Sequence, residues 1–531
     1  MAHISDKYPR SSGVLLPVTM LHGPFGIGTL GVEAMEFIDF LRSAGFHAWQ
    51  VLPVEHTGLS FSPYKCISAF AGEPMLIDPR MLFDMGLVTA DDLSDRVSGV
   101  SEDFVDYELV MDKQWRLLRA AYSRLVSHES FSETKSKKTQ SVRLADANIP
   151  NLQSHTAFNP PWLNSYALYM ALKHRFDYKP WFEWPDENLR AYDTVAVNDA
   201  KKELGGEIGF YRFVQWVFHI QWQMLKEYAA SRNISIIGDM PFYVSEDSAE
   251  VWIARNLFDA DQNGVFLAVG GAPPDYFSPK GQHWGNPVYN WNLIKKNSYR
   301  WWIRRIEAAI DRYDYVRLDH FRGFDSYWRI PSDASDARSG EWVKGPGIAL
   351  FKAIESALGR ADLPLIAEDL GDTHGDVDKL LRDSGLRGMR VLQFGFLGDD
   401  KHLPHNITED CVAYTGTHDN TTMLAWLYEL APEDRERALF YIGFGGDWTK
   451  GGPNSPVIQA WNRVLFASAA SLAIVPIQDL LGYGADTRTN TPGTPEGNWL
   501  FRIRDDTLGQ IDAKFYKSLN KVTCRDNSLN K

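Results

Sequence analysis

Short, continuous apolar runs, each followed by polar residues and then by a helical pattern, recur through this chain. Ala48–Pro53, Ile234–Asp239, Tyr313–Asp319, Leu363–Glu368, Val391–Phe396 and Cys411–Thr415 are the clearest. Hydrophobicity that does not alternate is what a strand covered on both faces requires, so these runs read as parallel strands. Between them stand helical patterns. Phe213, Trp216, Val217, Ile220 and Met224 recur at 3.6-residue spacing, and Trp302–Ile310 reads as another helix. Such a βαβα succession predicts a parallel sheet or barrel. Residues 80–205 break the rhythm: 112–125 and 165–176 read as helices, and the polar stretch 127–150 between them as a surface loop. The region is expected to be a mostly helical subdomain inserted into a single catalytic unit. No repeat of fixed period is present.

Composition removes several classes of function. The 531 residues carry 55 Lys and Arg against 68 Asp and Glu, a net charge of −13, which argues against nucleic acid as a partner. With 44% hydrophobic and 13% aromatic residues the chain is not a disordered one. Cys66, Cys411 and Cys524 are too few and too scattered for a disulfide framework, which suits a reducing cytosol. Cys66 and Cys411 sit among apolar or mixed neighbours and are expected to be buried and inert. Met1–Pro17 contains no apolar stretch like a signal peptide. The longest run of small apolar residues, Ala467–Ile477, is far short of the ~20 that a membrane span needs. The expectation is a cytoplasmic protein without a membrane partner, and a monomer.

Four of the strand runs end in, or just before, an acid: Asp239, Asp319, Glu368 and Asp419. In a barrel, chemistry gathers at the C-terminal ends of the strands. A single such Asp is as well explained as a helix cap. Four, each near a His, Arg or Gly, are harder to explain that way. Arg317 lies two residues before Asp319, so in a strand the two share a face. The guanidinium favours the ionised carboxylate, the form a nucleophile needs. Glu368 follows an apolar run, a setting that raises a carboxyl pKa and suits a proton donor. Asp419 lies between His418 and Asn420, both able to bond sugar hydroxyls. Two carboxyls about 5–5.5 Å apart carry out a retaining glycosidic displacement. A metal site built from His320, His418, Asp319 and Asp419 is the competing reading, although no HExxH or CxxC spacing is present.

Two motifs are weaker than they look. Gly26–Gly31 matches GxGxxG and precedes a helical pattern, but Pro17–Pro24 separates the glycines from any strand, so a loop opening onto a helix explains it better than a dinucleotide site. Asp259–Gly264 begins like a calcium loop, yet the twelfth position is Gly270, not Glu, and an Asx-rich turn is the better reading.

From about Gly13 to Ile503 the chain resembles the 4-alpha-glucanotransferases known as amylomaltases or disproportionating enzymes. The landmarks are WQVLPV (49–54), SPY (62–64) with SAFAG (68–72), IIGDMPFYVSEDSAEVW (236–252) and GAPPDYFSPKGQHWGNPVYNW (271–291). VRLDHFRGF (316–324), IAEDLGD (366–372), GMRVLQF (388–394), YTGTHDNTT (414–422) and NTPGTPEGNW (490–499) follow in order. The resemblance implies a (β/α)8 barrel with inserted helical subdomains and no C-terminal β-sandwich. It implies Asp319 as nucleophile, Glu368 as general acid/base and Asp419 as transition-state stabiliser, with Arg317, His320 and His418 lining the same sugar subsite. Tyr64, Asp275, Gln282, Trp284 and Asn490 match positions that contact the glucan. It implies α-1,4-glucans and maltooligosaccharides as substrates, and no metal or organic cofactor.

Lys65, Cys66 and Glu73 depart from the family's usual residues, which bears on acceptor preference and loop behaviour. The segment 270–284, rich in Gly, Pro and aromatics, is expected to arch over the cleft and limit water. An α-amylase-like hydrolase or a glucan binder without activity are the alternatives. Of the 18 Trp, most are expected to pack the core and a minority, Trp284 first, to serve as sugar platforms.

Overall fold

The computed structural model describes residues 10–58, 60–128, 157–261, 265–274, 278–371, 376–494 and 496–526. Apart from its first two residues, which end a helix, the polar stretch 127–150 lies outside them. Twelve strands follow one another along the described chain: β1 (Ser11–Leu15), β2 (Ala48–Gln50), β3 (Ser235–Met240), β4 (Ala268–Ala272), β5 (Gln282–Pro287), β6 (Tyr315–Leu318), β7 (Ser326–Pro331), β8 (Glu341–Lys344), β9 (Leu365–Ala367), β10 (Gly388–Val391), β11 (Cys411–Tyr414) and β12 (Leu472–Pro476).

Eight of them lie parallel in the order β10-β11-β12-β1-β2-β3-β6-β9. A single parallel bridge, Ile366 to Arg387, joins β9 back to the start of β10, and the Ala367 N–H donates to the Arg387 carbonyl at 2.7 Å. The ring so formed is a (β/α)8 barrel. Its outer helices include Val32–Ser43, Gly205–Ser231, Arg300–Arg312, Ile348–Leu358, Val377–Ser384 and Pro456–Ala467. Leu15, Ala48, Ile237, Ile366, Met389, Val412, Tyr414 and Ile474 fill its interior, and a larger apolar layer lies between sheet and helices. β11 and β12 are buried along their whole length, which is why their sequences are apolar without alternation.

Helix Gly205–Ser231 buries Phe213, Trp216, Val217 and Ile220 as its periodicity predicts. Between β2 and this helix the described chain is helical: Pro79–Asp84, Ala90–Val97, Tyr107–His128, Leu163–Arg175, Glu187–Arg190 and Thr194–Glu203. Ala90–Val97 begins with a capping box in which Thr89 and Asp92 satisfy each other's backbone N–H. After β12 the described residues form short helices and no further named strand.

Two readings need correction. The run 391–396 is only the last residue of β10 followed by the one-turn helix Leu392–Gly395. Part of the expected loop 270–284 is strand: β4 and β5 form a hairpin in a four-stranded antiparallel sheet, β5-β4-β7-β8. Its glycines are there for closeness. A Cβ on Gly271 would stand 2.2 Å from the Gln282 carbonyl oxygen, and one on Gly270 2.4 Å from the Tyr243 ring. No helix among the described residues is long and apolar enough to cross a membrane.

Candidate active site

The barrel's period of two builds the site. Ile237 and Ile366 point into the interior, so Asp239 and Glu368, two residues further on, are aimed inward at the C-terminal rim. Arg317 and Asp319 follow Tyr315 in the same way. Asp239 and Arg317 are register partners on adjacent strands. The Asp319 N–H donates to the Met240 carbonyl at 3.0 Å and the Glu368 N–H to that of Leu318 at 3.1 Å, which carries the ladder pattern past the strand ends.

One network joins these groups. Arg317 Nη1 donates to both carboxylate oxygens of Asp239 at 2.8 Å and to Asp319 Oδ1 at 3.1 Å. Tyr64 donates to Asp239 Oδ2 at 2.8 Å, which leaves its oxygen to accept from His418 Nε2, also at 2.8 Å. The Tyr64 and His418 rings stack at 5.4 Å, and Trp499 leans on both. His418 Nε2 lies 3.3 Å from Asp419 Oδ2. Asn490 Nδ2 donates to Asp419 Oδ1 at 2.6 Å, and Arg488 binds the carbonyls of Asp419 and Asn490. Glu368 accepts from two backbone groups, His320 N–H and Leu370 N–H, each at 2.9 Å. His320 is held left-handed (φ 51°), with its ring edge-on to Trp284 at 5.0 Å and its Nε2 buried without a protein partner. Trp284 Nε1 in turn donates to Gln282. A buried ring nitrogen of this kind is one that a ligand hydroxyl can complete.

Charge is distributed unevenly over the network. Burial works against the Arg317 cation, but Asp239, Asp319 and Glu368 outweigh it and keep it protonated. Burial raises Glu368 to about 8; Arg317 opposes this and Asp319 adds to it. Burial also raises Asp319, to about 7, against the pull of Arg317. That corrects the expectation of a lowered pKa: Arg317 is shared with Asp239, which takes two of its three contacts and adds its own negative field. Asp319 keeps 29% of its side chain open to the cleft, where solvent tempers both effects. Arg317 donates to Asp319, whereas Glu368 accepts from backbone N–H groups. Burial lowers His320 to about 4 and lowers His418 as well, so both rings are neutral.

Residues 16–507 match the sequence profile of a family described as 4-alpha-glucanotransferase. The chain belongs to the 4-alpha-glucanotransferase family. It is 41% identical to the 4-alpha-glucanotransferase of Thermus thermophilus over 523 residues, which span 98% of this chain and all of that one. It is 39% identical to the chloroplastic/amyloplastic enzyme of Arabidopsis thaliana over 94% of this chain and 82% of the plant protein. Among solved structures, the amylomaltase of Streptococcus agalactiae in complex with acarbose superposes with a TM-score of 0.87 at 38% identity, covering 97% of this chain and 99% of that one. The activity of the chain is 4-alpha-glucanotransferase activity.

Within this glucanotransferase the structure joins Tyr64, Arg317, Asp319, His418, Asp419 and Asn490 in one polar network, and brings Gln282, Trp284, His320 and Glu368 together beside it through two hydrogen bonds and the Trp284–His320 ring contact. Asp275 lies outside the described residues. The sequence marks Asp239 as a strand-end acid without assigning it a part, and it does not single out Trp499 or Arg488. A usable signal for Asp239 is present: a buried acid needs a buried base, and Arg317 is its neighbour in a parallel sheet.

The glycine-rich and Asx-rich motifs serve packing and turns. A Cβ on Gly28 would stand 1.8 Å from the Val18 carbonyl oxygen, and one on Gly31 the same distance from Asp78 Oδ2. These glycines admit backbone and an acid, and that acid stands where a phosphate at the helix start would have to sit. Asp259 is bound by Arg329 at 2.8 Å, and Asp261 caps the Val265 N–H; residues 262–264 of that loop lie outside the described set. Among the described residues no three His, Cys, Asp or Glu converge as a metal site would require. Cys66 and Cys411 are buried free thiols and Cys524 is exposed.

Proposed function

We propose that the enzyme moves a segment of an α-1,4-glucan to the 4-hydroxyl of an acceptor glucose or maltooligosaccharide by a retaining double displacement on Asp319. The observation that carries this reading is the contrast between two acids at neighbouring strand ends. Asp319 is bound by the Arg317 cation, whereas Glu368 is held by backbone N–H groups alone. That is one carboxylate to attack and one carboxyl to give a proton.

In the first step Asp319 attacks the anomeric carbon, the bond from that carbon to the bridging O4 breaks, and Glu368 passes its proton to O4. The released chain leaves a glycosyl ester on Asp319. In the second step the acceptor's 4-hydroxyl gives its proton to Glu368, its oxygen attacks the anomeric carbon, and the ester bond breaks. Two inversions leave the α configuration intact. Asp419, fixed by Asn490 and Arg488, binds ring hydroxyls and favours the flattened, positively charged sugar. His320, His418, Arg317 and Tyr64 line the same subsite, and Trp284 offers a stacking face. The β4–β5 hairpin carries Trp284 to the cleft and, on this reading, keeps water from the ester long enough for an acceptor to arrive.

The test uses Glu368→Gln. With maltotriose it should give no detectable rearrangement while retaining a cooperative thermal transition. With an α-maltosyl fluoride donor, whose leaving group needs no proton, the variant should accumulate a glycosyl adduct on the peptide bearing Asp319, read by mass spectrometry. Near-normal rearrangement by the variant, or an adduct on another residue, overturns the assignment. For the unaltered enzyme, maltotriose should yield glucose and a ladder of longer chains; shorter products alone would mean hydrolysis.

A further inference from the structure

Tyr64 reaches the site from the tip of a long excursion that begins just after β2. Its two limbs are tied at the base. The Glu73 N–H donates to the Val54 carbonyl at 2.9 Å and the His56 N–H to that of Ala71 at 2.8 Å, while Glu55 bridges Gly72 and Thr57 bridges Cys66. Above these ties the Gly58 N–H donates to the Lys65 carbonyl at 3.1 Å, and the turn beyond carries Tyr64.

The two limbs are also joined by a side chain that the mechanism does not use. Glu73 is 4% exposed. Its Oε2 accepts from the Thr57 N–H at 2.8 Å and from the Thr57 hydroxyl at 2.9 Å, and its Oε1 from the Met75 N–H at 3.1 Å. One carboxylate thus binds the outgoing limb to the 3-10 turn Pro74–Leu76 that follows the returning limb. Glu73 and Thr57 line a small cavity together with Phe61, Pro63 and Trp499. Phe61 and Pro63 belong to the tip that carries Tyr64, and Trp499 rests on Tyr64 and His418. Phe61 stacks on Tyr107 at 4.8 Å, so the tip rests on this apolar contact and on the clamp that Glu73 makes below it. Burial raises the Glu73 carboxyl to about 7, against the three hydrogen bonds it receives.

We propose that Glu73 is a positioning residue for transfer: by clamping Thr57 to Met75 it fixes the tip of the excursion, and so holds the Tyr64 hydroxyl between Asp239 and His418. This rests on the reading of Tyr64 as part of the sugar subsite. Glu73 touches no reacting atom and acts only through Tyr64. Three donors converge on its two oxygens, a demand that an amide meets badly, since one end of Gln carries N–H bonds of its own.

The experiment is a double-mutant cycle on the full chain, read as kcat and KM for maltotriose disproportionation: wild type, Glu73→Ala, Tyr64→Phe and the double variant, with thermal unfolding of each. Glu73→Ala is expected to lower kcat about tenfold with little change in KM, and Tyr64→Phe to lower it at least as far. In the Tyr64→Phe background, removing Glu73 should have no further effect on kcat. Equal losses from Glu73→Ala in both backgrounds, or no loss in either, overturn the proposal, because a residue that only supports the fold acts independently of Tyr64. A Tyr64→Phe variant with unchanged kcat overturns instead the placement of Tyr64 in the subsite. Should Glu73→Ala fail to fold, Glu73→Gln and Thr57→Val enter the same cycle, with the same non-additivity expected and additivity again fatal.

Discussion

On the proposed mechanism Asp319 and Glu368 begin the reaction in opposite protonation states, although both lie at one barrel rim in sight of one cation. Asp319 must be ionised, and its raised pKa means that activity falls as pH drops through about 7. Glu368 must carry a proton, and its pKa means that activity falls as pH rises through about 8. The pair is therefore expected to give a narrow bell in kcat/KM, whose two limbs belong to the pair rather than to either residue alone. A rate profile flat from pH 6 to 9 would refute this. Asp239→Asn takes one negative charge away from Asp319 and should move the acid limb to lower pH. It also leaves the buried Arg317 short of a partner, at a cost of about 3–5 kcal/mol in stability, read by denaturant unfolding. The placement of Asp319 and Glu368 at neighbouring strand ends was legible in sequence, because each follows a buried apolar run. The direction of the Asp319 shift was not, because it is set first by burial in the folded rim and then by Asp239, which competes for Arg317 from 80 residues earlier.

At the scale of elements, the β4–β5 hairpin shows how a chain can approach a cleft by giving up side chains. Gly271→Ala must push its new methyl against the Gln282 carbonyl oxygen and the Ile330 side chain. An overpacking penalty of about 1–3 kcal/mol is expected, together with displacement of Gln282 and Trp284. The measurable results are a lower melting temperature and a larger share of free reducing ends in the maltotriose product mixture; an unchanged product ladder would separate the hairpin from control of water. The antiparallel sheet escaped sequence reading because Gly270, Gly271 and the prolines around them look like loop. β3, β6, β9 and β11 were legible because each is a buried apolar run of strand length. β10 was misplaced because VLQFGF is apolar apart from Gln393 and too short to show a period, so the switch from strand to a single helical turn leaves no trace in it. Gln393, whose side chain donates to the Thr421 carbonyl, anchors that turn to the segment bearing Asp419.

For the whole molecule, guanidinium groups tie the last described residues to one side of the barrel end opposite the site. Arg525, fully buried, donates to the carbonyls of Ser11, Phe466, Ser468 and Ala470, and Arg10 binds three of the same stretch. Arg525→Ala strands these buried acceptors and should cost at least about 3 kcal/mol in unfolding, while kcat at a temperature well below the transition stays within twofold of wild type; a large loss of kcat in the folded variant would show that the two ends are coupled. None of this was legible, since an arginine near a chain end reads as solvated surface. The ring itself is not uniform. Seven of its eight junctions are ladders of three or more residue pairs, and the eighth, between β9 and β10, is a single bridge at Ile366. A hoop with one thin join opens there first. The amide of Ala367 should therefore exchange with deuterium faster than those of β1 or β12, and an occupied cleft should slow it. Glu368 is the next residue, so the acid proposed as proton donor is mounted beside the thinnest join of the barrel.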